Sequence, residues 1–119
     1  MSVELFWKMN TEDAVADKAL GEKHAPMIAL PARMTPGEPS KVRINAGGGK
    51  HPNTNEHHIQ WIELRVNDLF VGRVDLSPVI LQPEVEFTFI CPSSKIEISA
   101  IARCNLHGLW TSKTCCTCK

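Results

Sequence analysis

The sequence predicts an all-β protein: an immunoglobulin-like antiparallel β-sandwich of about seven short strands, preceded by a short N-terminal extension. Three observations carry this. From Met27 onward, apolar residues recur with a period of two rather than 3.6. Pro, Gly and Asn turns break that pattern at short intervals. The chain also shows no internal repeat, low-complexity segment or linker, so its 119 residues are expected to form one domain over 1–119.

In chain order, residues 11–20 combine a Thr start, Glu12 and Asp13 with several alanines, which predicts one short helix. Met27 to Leu30 is an apolar run stopped by Pro31, and Thr35 to Pro39 reads as a turn. Lys41 to Asn45 alternates Val42 and Ile44 with polar neighbours, and Gly47-Gly48-Gly49 opens a flexible loop to about Glu56. His57 to Val66 is the longest β-like stretch, and Asn67-Asp68 turns it into Leu69 to Leu76. Val85, Phe87 and Phe89 alternate with Glu84, Glu86 and Thr88. After the Cys91-Pro92-Ser93-Ser94 turn, Ile96, Ile98, Ala100 and Ala102 alternate with Glu97, Ser99, Ile101 and Arg103. Residues 112–119 read as a flexible, Cys-rich tail.

Bulk properties exclude several function classes. Lys+Arg and Asp+Glu balance at 13 each, so no basic face points to nucleic acid, and any attraction of a charged substrate must be local. No stretch reaches the ~20 apolar residues of a membrane span, and the first twenty residues lack the apolar run of a secretion signal. A cytoplasmic protein is expected. The five cysteines, odd in number and irregularly spaced, suit thiols or metal ligands in a reducing compartment better than a disulfide framework. Cys91 reads as a packed thiol.

Chemistry concentrates in three segments. In Cys104-Asn105-Leu106-His107, strand parity puts Cys104 on the same side as Ile96, Ile98, Ala100 and Ala102. Its sulfur would approach a metal from the interior, and a turn would bring His107 to the same ion. The second segment runs from His51-Pro52 to His57-His58. Adjacent strand residues face opposite ways, so only one of His57 and His58 should be a ligand. Periodicity does not choose, because Ile59 and Trp61 on one face and Ile62 and Leu64 on the other are all apolar. The third segment, Gly21-Glu22-Lys23-His24-Ala25-Pro26, reads by itself as a charged loop.

Taken together these segments resemble the superoxide reductase family, which comprises the iron domain of desulfoferrodoxin and the shorter neelaredoxins. The family's marks are a Glu-Lys-His-x-Pro segment, a His-Pro-x-x-x-x-His segment leading to Ile-x-Trp, and a Cys-Asn-x-His-Gly-x-Trp ending. Here they appear in that order as Glu22 to Pro26, His51 to Trp61 and Cys104 to Trp110. No cysteine precedes Cys91, so the resemblance is to the one-iron form.

The resemblance implies one mononuclear iron held by His24, His51, His57 and His107 in its equatorial plane and by Cys104 axially. It selects His57 over His58. It implies one-electron reduction of superoxide to hydrogen peroxide as Fe(II) becomes Fe(III), with Lys23 attracting the anion and Glu22 binding the oxidised iron at rest. Five ligands leave a six-coordinate ion one open position, whereas four-coordinate zinc fits the count poorly. The resemblance further implies a rubredoxin-like electron donor and a homo-oligomer, dimer or tetramer. Two rival expectations remain at this stage: superoxide dismutation at the same iron, and an immunoglobulin-like binding module with a structural zinc. The tail's Cys115, Cys116 and Cys118 lie outside the resemblance.

Overall fold

The computed structural model describes residues 3–119. Eight strands form two sheets: β1 (Met9–Asn10), β2 (Pro26–Ala29), β3 (Pro39–Ala46), β4 (Ile59–Val66), β5 (Leu69–Asp75), β6 (Glu84–Ile90), β7 (Lys95–Cys104) and β8 (Gly108–Thr117). One sheet has the order β1-β8-β7-β4-β5 and the other β2-β3-β6. The chain changes sheet between β1 and β2, between β3 and β4, between β5 and β6, and between β6 and β7, the last three making the Greek-key crossing of an immunoglobulin-like sandwich. All pairings are antiparallel except that of β1 with β8.

The predicted parity of β7 holds: Ile96, Ile98, Ala100, Ala102 and Cys104 all face the interior, none more than 4% exposed. They pack against Ile62 and Leu64 of β4, Val42 and Ile44 of β3 and Val85 of β6. Each fully buried Ile or Leu contributes about 1.5–3 kcal/mol. A bulge between Ile59 and Trp61 explains the ambiguous periodicity of β4. One extra residue in the strand lets Ile59 and Ile62 face inward together, which strict alternation forbids. β4 begins at Ile59, so His57 and His58 lie in the bend before it, not in the strand as expected.

Three other expectations are corrected. The helix predicted over 11–20 is displaced to α2, Lys18–His24, following a four-residue turn of helix, α1 (Val3–Phe6). Asp17 caps α2 by accepting from the Leu20 amide at 3.2 Å. Ala25, forced into extended geometry by Pro26, ends it. Glu22, Lys23 and His24 are therefore helical, not in a loop. Second, residues 112–117, expected as tail, complete β8, which pairs residue by residue with β7 from Cys104↔Gly108 to Lys95↔Thr117. Third, Cys91 is not a free thiol: it forms a disulfide with Cys118, both almost fully buried. Closing that 27-residue separation restricts the unfolded chain by roughly 3–4 kcal/mol on chain-entropy grounds.

Candidate metal centre

One end of the sandwich gathers four structures: the C-terminal end of α2, the turn after β3, the bend before β4 and the β7–β8 hairpin. Each delivers one or two donors. His24 is the last residue of α2 and is 1% exposed. Its Nδ1 donates to the Leu20 carbonyl at 2.8 Å, one turn back in the same helix. His51 follows a 3₁₀ turn, Gly47–Gly49, and its Nδ1 donates to the Pro52 carbonyl at 2.6 Å. A carbonyl only accepts, so both rings carry their proton on Nδ1 and keep a bare Nε2 lone pair. Both Nε2 atoms turn to the interior: His51 Nε2 is 3.3 Å from Cys104 Sγ, and His24 Nε2 is 3.1 Å from His107 Nδ1.

Cys104 and His107 share a hairpin with a three-residue loop. Gly108, at φ +79°, supplies the left-handed residue such a loop requires. The loop folds His107 back so that Nδ1 is 3.7 Å from Cys104 Sγ. The Leu106 and His107 amides both point at this sulfur and favour its thiolate, against burial, which pushes the thiol pKa up. His57 enters from the fourth side. Its ring lies 4.6 Å from His51 and 5.1 Å from His107, and its buried Nε2 has no hydrogen-bond partner. An orphaned buried nitrogen of this kind is what a ligand in want of a metal looks like.

One ligand atom from each of His24, His51, His57 and Cys104 falls within 4.8 Å of the other three, and His107 adjoins this set through His24 and Cys104. The donors fit a transition metal of mixed nitrogen–sulfur preference, softer than magnesium or calcium would choose. His58 points elsewhere, its Nδ1 donating to the Thr54 carbonyl at 3.1 Å. Glu22 is half-buried and Lys23 exposed on α2, beside the cluster.

Two supports were not legible as such. Asn105 straddles His57: its Oδ1 accepts from the His58 amide at 2.9 Å, and its Nδ2 donates to the Glu56 carbonyl at 2.9 Å. The hairpin thereby holds the His57 peptide in place. Trp110 stacks on His24 with ring centres 5.0 Å apart, and its Nε1 donates to the His107 carbonyl at 3.1 Å. Trp61, by contrast, lies on the other face of its sheet beneath Arg73.

Burial and mutual repulsion keep the imidazoles neutral. Burial first, then His107, His57 and Lys23, lower His24 to about 4; burial and the neighbouring histidines lower His51 to about 3. His57 and His107 shift in the same direction, chiefly through burial. Neutral rings at physiological pH offer lone pairs to a metal without first releasing protons. In the metal-free protein the sign follows directly. The unfolded chain binds these protons near pH 6.5 and the folded chain does not, so stability is complete above pH 6.5. It should fall as the pH drops from 6.5 towards 4. Melting temperatures of metal-free protein across this range check it; a flat profile between pH 7 and 4 would contradict it.

Buried imidazoles and one sulfur, gathered at the loop end of a β-sandwich, form a candidate metal site. Comparison with known proteins gives the family. The desulfoferrodoxin family model matches residues 16–113. A putative superoxide reductase of Methanocaldococcus jannaschii is 38% identical over 92 residues, covering 75% of this chain and 78% of that protein. The superoxide reductase of Pyrococcus horikoshii is 38% identical over 103 residues, covering 78% and 86%. Among solved structures, the superoxide reductase (neelaredoxin) of Ignicoccus hospitalis superposes with a TM-score of 0.77 at 32% identity, covering 100% of both chains. The chain belongs to the desulfoferrodoxin family.

Proposed function

We propose that this protein is a superoxide reductase, converting superoxide, one electron and two protons into hydrogen peroxide. The observation that carries the reading is the convergence of imidazole nitrogens on the one buried thiol, with the ring protons turned outward to backbone carbonyls. His24, His51, His57 and His107 would hold the metal through nitrogen and Cys104 through sulfur. Iron bound there would supply the electron and, with five protein donors, keep one coordination position for the substrate.

The chain's own residues do the rest. Lys23 places an exposed cation on the last turn of α2, near enough for its charge to act on both His24 and His57. In a chain of zero formal net charge, such a local cation is what draws a small anion to this end. Glu22, half-buried beside it, would be the carboxylate that covers the metal between turnovers, as the family resemblance implies. Cys104, 0% exposed, keeps its sulfur away from solvent and oxidants and turns it to the His51 imidazole.

The same reading takes residues 1–119 as one domain of this type in the cytoplasm, recharged by a rubredoxin-like or other small electron carrier and assembled as a homo-oligomer. Among the described residues, no helix is long and apolar enough to cross a membrane. In a reducing compartment the Cys91–Cys118 disulfide would rely on burial to escape exchange.

The test is iron content together with the spectrum of the oxidised protein. About one iron per chain, a visible thiolate-to-Fe(III) band and consumption of one superoxide per iron without a donor are expected. A colourless zinc protein, or turnover continuing without a donor, would overturn the proposal. Lys23→Ala should slow superoxide capture by roughly 10-fold and flatten its dependence on ionic strength while leaving iron bound. Stopped-flow rates over a salt series check this, and an unchanged rate with unchanged salt dependence would remove the steering role.

A further inference from the structure

We infer that Gly47 is a positioning residue for the metal centre, fixing the end of α2 that carries His24 against the turn that carries His51. The inference rests on the metal site proposed above. Gly47 is buried at φ +60°, and a Cβ built there would meet Lys23 O at 1.9 Å, Lys23 C at 2.3 Å and Lys23 Cα at 2.9 Å. These are backbone atoms, so no side chain can swing aside to make room.

The close approach is also bonded. The Gly47 amide donates to the Ala25 carbonyl at 3.0 Å, so Gly47 touches the residues on both sides of His24. On either side of it in the chain, the Ala46 amide donates to the Pro83 carbonyl at 2.9 Å, and the Lys50 amide donates to the Gly47 carbonyl at 3.1 Å. His51 follows Lys50 directly. The Gly47 backbone is thus the short link between two ligand-bearing segments whose rings end 4.6 Å apart. Any side chain at 47 must push Lys23 and His24 away from His51.

Two other glycines separate this role from backbone strain. Gly37, at φ +83°, has nothing within 4 Å of an added Cβ, and Gly48, at φ +63°, meets only the flexible Met27 sulfur, at 2.8 Å. Ala at any of the three must adopt a left-handed conformation that L residues resist. Only Ala at 47 also displaces a ligand segment.

The experiment compares Gly37→Ala, Gly48→Ala and Gly47→Ala with the parent. Gly37→Ala and Gly48→Ala should lower the melting temperature and leave the visible band per iron and the iron affinity as in the parent. Gly47→Ala should bind iron about 10–100-fold more weakly and shift the maximum of the thiolate band. A Gly47→Ala protein matching Gly37→Ala in band and iron affinity would overturn the inference. The parent supplies a measurement independent of any variant's folding. Loaded with diamagnetic zinc, it should show a through-space proton contact between Gly47 Hα and Lys23 Hα by NMR; absence of that contact would also overturn it. A parent that takes up no iron contradicts the proposed function itself, a result these Gly47 measurements do not imitate.

Discussion

Cys104→Ser is expected to give a folded protein without the visible thiolate band and with superoxide reduction down by about a hundredfold or more. Removing partners that merely orient ligands already costs about 10–100-fold, and Cys104 is itself the sulfur on which the site converges. Folding should survive because Ser replaces Cys atom for atom at a position whose amide neighbours, Leu106 and His107, can donate to a hydroxyl as they do to sulfur. The four imidazoles stay, so some metal binding should persist, and the spectrum rather than metal content is the decisive readout. A variant retaining the parent's band would exclude Cys104 as the sulfur donor.

Trp110→Ala is expected to strike both stability and the site. Trp110 is 0% exposed, the largest of the fully buried side chains. Truncation there should cost about 3–5 kcal/mol through the cavity it leaves. It also removes the ring stacked on His24 and the Nε1 donor to the His107 carbonyl, freeing two imidazoles at once. Trp110→Phe separates the two contributions, since it keeps an aromatic face for His24 but lacks the indole N–H. We expect Trp110→Phe to recover most of the stability and only part of the iron affinity. Chemical denaturation and competitive chelation measure the two quantities. Equal recovery of both would show that Trp110 acts on the site through packing alone.

How much the sequence disclosed varied with the kind of interaction involved. The interior facing of Cys104 was legible because β7 alternates without interruption from Ile96, and parity carries from one residue to the next. The choice between His57 and His58 was not, because the bulge at the start of β4 puts Ile59 and Ile62 on one face and destroys alternation just where it was needed. The resemblance to a family selected His57, and the geometry turns His57 into the cluster and His58 towards Thr54.

The segment carrying His24 looked like a charged loop because its seven helical residues are too few to show an apolar stripe. Its boundary signals were nonetheless present: Asp17 as cap and Pro26 as stop. Residues 112–117 looked like a tail because Ser, Thr, Lys and Cys give no apolar period, yet strand pairing is made by backbone groups, and β7 offers a partner along that whole length. The disulfide was hidden for a further reason: an odd number of cysteines at irregular spacing cannot say which two meet. The bond joins the β6–β7 turn to the residue just beyond β8, at the end of β7 remote from Cys104.

Gly47 and Asn105 were invisible as supports because their roles depend on distant backbone. Nothing local shows that position 47 will press on Lys23, or that an Asn beside Cys104 will hold the peptide around His57.

X-ray absorption at the iron edge of the reduced, iron-loaded protein speaks most directly to the assembly of imidazoles around one thiolate. One sulfur and four nitrogen scatterers in the first coordination sphere are predicted, with the sulfur lost in Cys104→Ser. A sphere of nitrogen and oxygen alone in the parent, or a sulfur that survives that substitution, would contradict the account.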